Sequence, residues 1–135
     1  MHVLTQITAK DYMAANLVTF KPDQDVMSAI HQLLENGISG APVLDNTGNI
    51  VGLLSEKDCL KVAMSAGYHN QYSGNVADFM TTSVITVEAD TSIVEVAKMF
   101  LNTPYKRFPV VQENRLIGQI SRRDVLRAIR AISKS

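Results

Sequence analysis

The sequence predicts an α+β fold built from two copies of one unit, each a short strand, a helix, a two-stranded hairpin and a second helix. Three observations predict it. First, Phe108 to Asp124 reads as a hairpin running into a helix start. Pro109-Val110-Val111 is a short apolar strand, Gln112 to Arg115 a polar turn, and Leu116 to Ile120 the return strand. Ser121-Arg122-Arg123-Asp124 then sets a hydroxyl three residues before a carboxylate, at the head of a segment with apolar residues at Val125, Leu126 and Ile129. Second, the same stretch occurs from Ala41 to Asp58. Pro42 matches Pro109 at an offset of 67, while Gly52, Ser55 and Asp58 match Gly118, Ser121 and Asp124 at an offset of 66, one residue being lost in the turn. Third, the offset of 67 holds upstream, where Asp11-Tyr12-Met13 matches Asp78-Phe79-Met80, Thr19 matches Thr86 and Leu34 matches Leu101.

Residues 1–10 are a lead-in, 11–66 the first repeat, 67–77 a connector and 78–132 the second repeat. Asp11 to about Asn16 is a short helical turn, and Leu17-Val18-Thr19-Phe20 a short strand. Lys21 to Gln24 is a turn, since Pro and Asp are turn residues. Asp25 caps a helix whose apolar residues Val26, Ala29, Ile30, Leu33 and Leu34 share one face. Asn36-Gly37 ends it, the first hairpin follows, and a helix runs from about Glu56 to Ser65. The connector carries Gly, Asn and Ser breakers with two tyrosines and His69. In the second repeat Val84 to Val87 is the strand and Ser92-Ile93-Val94-Glu95 a capping box. Ile93, Val96, Ala97, Phe100 and Leu101 give the following helix the same apolar face as its twin, and Thr103-Pro104 ends it. A last helix spans about Arg122 to Ile132. Neither repeat alone buries all its apolar faces. The two are expected to pack sheet against sheet about a pseudo-twofold axis, which makes two equivalent clefts.

Composition excludes several classes. A chain of 135 residues with 46% apolar content supports one globular module with a real core. Zero formal net charge gives no global field to attract nucleic acid or an anionic membrane. No apolar run approaches the roughly 20 residues of a membrane span. The first ten residues lack the regions of a signal peptide, so a cytoplasmic location is expected. Cys59 is the single cysteine and matches Val125, so it is expected to be a small buried hydrophobe. His2, His31 and His69 have no metal-ligand spacing, and no metal site is expected. No phosphate-binding Gly-rich loop or nucleophile elbow is present. Met13, Met27, Met64, Met80 and Met99 read as core or dimer contacts. Arg122, Arg123, Arg127, Arg130 and Lys134 on the last helix read as a solvated face rather than a nucleic-acid contact.

The repeated pattern is an Asp-apolar-Met opening, an apolar strand ending in Thr, a helix, then Pro-Val, Gly and Ser-x-x-Asp in fixed order. Over about 120 residues it resembles a tandem pair of CBS domains, the Bateman module, without an attached catalytic domain. That resemblance implies β-α-β-β-α repeats and a module that often dimerises through its helices. It implies a regulatory sensor that is not an enzyme, needs no cofactor, binds adenosine-containing ligands such as AMP, ADP or ATP, and modulates a partner protein. In the family pattern the aspartate of Ser-x-x-Asp holds the ribose hydroxyls, the serine lies near the phosphate, and the backbone before the hairpin proline frames the adenine.

Carried onto this sequence, each cleft draws on both repeats. The primary cleft has Ser121, Arg123, Asp124, Lys106 and Arg107 for ribose and phosphate, and Val18, Ile38, Ser39 and Gly40 for adenine. The secondary cleft has Ser55, Lys57 and Asp58, with Ile85 and the bulkier Tyr105 on the adenine side, and is expected to bind weakly or stand empty. The chemistry is sensible without the family. One carboxylate accepts both hydroxyls of a ribose, a helix N-terminus favours phosphate, and Arg or Lys strengthens the bonds. Two plainer readings stand beside it. Ser-x-x-Asp is also a simple capping box, and the whole chain could be a ligand-free structural dimerisation module.

Overall fold

Short capping motifs open both repeats. In the computed structural model, which describes residues 3–65 and 73–134, the Asp11 carboxylate accepts from the Thr8 N–H at 2.9 Å and starts helix α1 (Ala9–Tyr12). The turn expected from Asp11 to Asn16 thus lies earlier, because Thr8 supplies the cap. Helix α2 (Val26–Asn36) is capped by Asp25, which accepts from the Ser28 N–H, and stops at Gly37 with φ 59°. That left-handed residue returns N–H bonds to the last-turn carbonyls, a geometry glycine adopts without strain. Strands β1 (Gly40–Leu44) and β2 (Ile50–Ser55) form the first antiparallel hairpin, with Gly40 opposite Ser55, and β2 runs directly into α3 (Glu56–Ser65).

The second repeat opens with α4 (Val76–Phe79), where the Asp78 carboxylate accepts from the Asn75 N–H at 2.8 Å. A two-residue strand β3 (Val87–Glu88) leads to α5 (Ile93–Asn102), capped by the Ser92 hydroxyl on the Glu95 N–H. Strands β4 (Arg107–Gln112) and β5 (Arg115–Ser121) make the second hairpin, and α6 (Arg122–Ser133) follows without a loop. The hairpin turns at Glu113 and Asn114, both with positive φ (53° and 66°), as a tight two-residue connection requires.

The leading strands are shorter than expected. Of Leu17 to Phe20 only Phe20 pairs, in one parallel bridge to Val43, and of Val84 to Val87 only Val87 joins the sheet. Proline is the reason. The Phe20 N–H donates to the Pro42 carbonyl and the Leu44 N–H to the Phe20 carbonyl. The next bond back would need an N–H on Pro42, which has none, and Pro109 stops the other ladder in the same way.

The chain folds as two compact units that cut across the repeats: residues 18–84 form one, and residues 1–17 with 85–135 form the other. In the first, Phe20, Ala29, Leu33, Val43 and Leu54 form a core with Val76 from the opening helix of the second repeat. In the other, Ile93, Val96, Phe108, Val110 and Ile120 pack with Ala9 from the opening helix of the first repeat. Phe100 stacks on Phe108 with ring centroids 4.5 Å apart. Each opening helix is placed by a glycine. A Cβ on Gly118 would meet Met13 Sδ and lie 2.7 Å from the Ala14 carbonyl oxygen, and one on Gly52 would lie 2.7 Å from Met80 Sδ. Met13, Met80 and Met99 pack against the cores, while Met27 and Met64 are exposed.

Zero net charge conceals a division. The unit of residues 1–17 and 85–135 carries ten Lys and Arg against six Asp and Glu, and the unit of 18–84 carries three against seven. One is thus +4 and the other −4. Cys59 is half-buried against the core of its unit rather than fully enclosed. Among the described residues no helix is long and apolar enough to cross a membrane. Residues 67–72 of the expected connector, His2 and His69 lie outside the described residues.

Candidate functional site

Each hairpin delivers a serine and an aspartate to the first turn of a helix. Ser121 is the residue before α6. Its hydroxyl accepts from the Asp124 N–H at 3.2 Å, and Asp124 Oδ2 accepts from the Ser121 N–H at 2.8 Å. Ser55 and Asp58 repeat this reciprocal cap at the start of α3, with distances of 3.0 and 3.1 Å. The capping reading is therefore correct at both places, and the question is what each carboxylate has left to offer.

Asp58 has little. Its Oδ2 also accepts from the Ser55 hydroxyl at 3.0 Å, and its Oδ1 accepts from Lys61 Nζ and from the Thr81 hydroxyl, both at 3.1 Å. The residue is 6% exposed. Burial pushes its carboxyl up, but the bonds from the Ser55 N–H, Lys61, the Ser55 hydroxyl and Thr81 outweigh burial and hold it below its ordinary value. Asp124 is more open. Beyond the cap, among the described residues it meets only Arg127, at 3.6 Å from Oδ1, and its side chain is 15% exposed against 8% for Asp58. Besides the closer Lys61 and the Ser55 hydroxyl bond, one pair of matched residues separates the two places. Thr81 exchanges backbone bonds with Leu53, and Ala14 exchanges the same bonds with Gln119. The backbones are alike, but Ala14 has no hydroxyl to give Asp124.

The surroundings differ in charge as well. Arg107 lies opposite Ser121 in the β4–β5 register, and the Arg122 N–H donates to the Lys106 carbonyl at 3.1 Å. Arg122 Nε also donates to the Tyr105 carbonyl. The chain at Tyr105, Lys106 and Arg107 is thereby tied to the start of α6, where Arg123 is exposed. At the start of α3 the matched bond runs from the Glu56 N–H to the Ser39 carbonyl, and Gly40 lies opposite Ser55. Glu56 thus stands where Arg122 stands, with only Lys57 to match Arg123. The last helix is more than a solvated face, since Arg127 also donates to the Tyr12 carbonyl and lies 5.7 Å from the Tyr12 ring.

The expected site residues divide between the two units. Ser121, Arg123, Asp124, Lys106 and Arg107 come together in the positive one, which also carries exposed Ile85 and Tyr105. Val18, Ile38, Ser39, Gly40, Ser55, Lys57 and Asp58 belong to the other, where Val18 and Ile38 pack against its core. Sequence reasoning missed two contrasts, Arg122 against Glu56 and Ala14 against Thr81. Both were visible as mismatches between the aligned repeats. Among the described residues no group of His, Cys, Asp and Glu could hold a metal. Burial and the charges of Asp58 and Glu56 push the Cys59 thiol up, which suits packing and not nucleophilic work.

The CBS domain model matches the chain twice, over residues 9–65 and 76–131. An uncharacterised protein of Methanocaldococcus jannaschii is 30% identical, the match covering 89% of each chain. Other relatives are longer. The chain spans 42% of the length of a second Methanocaldococcus jannaschii protein (26% identical) and 62% of the chloroplastic protein CBSX1 of Arabidopsis thaliana (32% identical). Among solved structures, the Arabidopsis thaliana CBS-pair protein CBSX2 in complex with AMP is 31% identical with a TM-score of 0.81, covering 94% of this chain and 98% of that one. The CBS domain pair of protein MJ0100, in complex with 5′-methylthioadenosine and S-adenosyl-L-methionine, is 25% identical with a TM-score of 0.72, covering 93% and 97%. The α+β architecture matches these structures.

Proposed function

The chain belongs to the CBS domain family as a tandem pair of its repeats, and from that premise we propose that it is a regulatory module that binds an adenosine nucleotide at Asp124 and catalyses nothing. The observation that carries this reading is the free capacity of Asp124, whose Oδ1 has, among the described residues, only a 3.6 Å contact with Arg127. A ribose presents two neighbouring hydroxyl donors, and a carboxylate with an unfilled oxygen accepts them together. The phosphate then lies at the N-terminus of α6, where the helix dipole favours an anion. Lys106, Arg107, Arg122 and Arg123 supply charge there, and the +4 unit draws anions toward it. The AMP complex of CBSX2 supports a phosphorylated ligand, and the complex of protein MJ0100 supports an adenosine core. Ligand occupancy in turn modulates a partner protein.

Calorimetric titration with AMP, ADP, ATP, S-adenosylmethionine and GMP tests this. Binding of an adenosine phosphate, absent with GMP and lost in Asp124→Ala, is expected. No binding by the folded protein, or equal binding by Asp124→Ala, overturns it.

A second reading, association of two copies, is favoured by apolar residues left open on the helices. Leu34 and Leu101 are 74% and 85% exposed at matched positions of α2 and α5, and Leu60 and Met64 are 71% and 83% exposed on α3. A homodimer in light scattering, dispersed by Leu60→Glu with Met64→Glu, is the expected result. A monomer at all concentrations refutes it.

A further inference from the structure

The two Ser-x-x-Asp positions have the same backbone and differ in what occupies the carboxylate. At Asp58 the Thr81 hydroxyl lies 3.1 Å from Oδ1 and 3.3 Å from Oδ2, spanning the edge that a ribose diol would take. Thr81 is fixed there by its two backbone bonds to Leu53, at 2.8 and 2.9 Å. Ala14 has the same two bonds to Gln119, at 2.8 and 2.9 Å, and offers Asp124 a methyl group. The flanking cations are matched residues, with Lys61 3.1 Å from Asp58 and Arg127 3.6 Å from Asp124, so a cation stands at both places and the threonine hydroxyl at one.

We propose that Thr81 sets the number of ligand sites in this chain: its hydroxyl closes the Asp58 carboxylate, and removing that hydroxyl opens a second site, selective for an uncharged nucleoside. The inference rests on the reading of Asp124 as a ribose-binding carboxylate and goes beyond it in two respects. It names the residue that silences the other copy. It also names the ligand class the silenced copy would take. Glu56 stands where Arg122 stands, and Ser39 and Gly40 where Lys106 and Arg107 stand, so the start of α3 has little to offer a phosphate. The ribose acceptor is present and the anion site is not. Thr81 is a specificity-determining residue through its hydroxyl alone, a role that bulk or β-branching would not fill.

The test is calorimetric titration of the full chain with AMP and, separately, with adenosine. The variants are Thr81→Ala, Thr81→Ser, Asp124→Ala, and Asp124→Ala combined with Thr81→Ala. Thr81→Ala copies what Ala14 already places in the same backbone, and thermal melting of each variant verifies folding. The expected wild-type result is one equivalent of AMP, lost in Asp124→Ala. The double variant should bind adenosine at least tenfold more tightly than Asp124→Ala does, with no preference for AMP, and adding Asp58→Ala should remove that gain. Thr81→Ser keeps the hydroxyl and should leave the stoichiometry at one. A double variant that gains no adenosine binding overturns the inference, as does a wild type that binds two equivalents with one lost in Asp58→Ala. In both cases AMP binding that depends on Asp124 leaves the underlying reading intact. Wild-type protein that binds neither compound overturns that reading, and the inference with it.

Discussion

Asp58→Ala and Asp124→Ala should rank in opposite order for stability and for ligand binding. Removing the Asp58 carboxylate deletes the cap bond to the Ser55 N–H, about 1 kcal/mol. It also leaves the Ser55 and Thr81 hydroxyls without a charged acceptor beside a residue only 6% exposed, about 1 kcal/mol each. The Lys61 partner is 59% exposed, so its ion pair adds little. The total is about 3 kcal/mol by these central values. Removing the Asp124 carboxylate deletes one cap bond and a 3.6 Å contact to an Arg127 that is 53% exposed, which comes to about 1 kcal/mol. The gap of about 2 kcal/mol is a difference of roughly 1 M in urea midpoint for a slope near 2 kcal/mol/M. Urea unfolding of the two variants and the wild type measures it, and titration with AMP on the same samples gives the binding order. Equal destabilisation, or a larger loss in Asp124→Ala, would show that the bonds around Asp58 do not hold its carboxylate as described and would refute the division of labour.

Acid should find the same residue. A carboxyl held below its ordinary value contributes stability that is present above the unfolded pKa and is lost as pH falls through the folded one. Wild-type stability should therefore drop below about pH 4, with a smaller drop in Asp58→Asn, as read by urea midpoints across pH. Gly118→Ala should destabilise by about 2–3 kcal/mol, because the new Cβ meets Met13 Sδ and the Ala14 carbonyl; thermal melting within 1 °C of wild type would contradict that packing. Lys106→Ala with Arg107→Ala should weaken AMP at least tenfold and leave adenosine within about twofold, and the AMP loss should shrink at high salt. Equal losses for both compounds would remove the phosphate from that place.

The long helices were legible because their signals are local. Asp25, the apolar face of Val26 to Leu33 and Gly37 mark α2 within one stretch of chain, and Ser92 and Pro104 bound α5 in the same way. The two Ser-x-x-Asp starts were legible because the repeat showed them twice. The leading strands were misjudged because their pairing is limited by a missing N–H on Pro42 and Pro109, in another element. The Thr81 bond to Asp58 was hidden for a related reason. Thr81 lies 23 residues away, and only the fold brings its hydroxyl to the carboxylate. The division of charge was not legible because charge was counted over the chain and not over the units into which it folds.

The order of the chain through its two units has a kinetic consequence. Residues 18–84 form one unit without interruption, whereas the other unit joins residues 1–17 to 85–135 across the 67 residues between them. During synthesis the inserted unit is complete once Val84 has emerged, while Ala9 and its neighbours still lack Ile93, Val96 and Phe108 to pack on. Bringing residues 1–17 to 85–135 closes a loop of that length, an entropic cost that the uninterrupted unit does not bear. The uninterrupted unit is therefore free to fold first, and the unit that carries Asp124 is complete only once both of its segments have emerged.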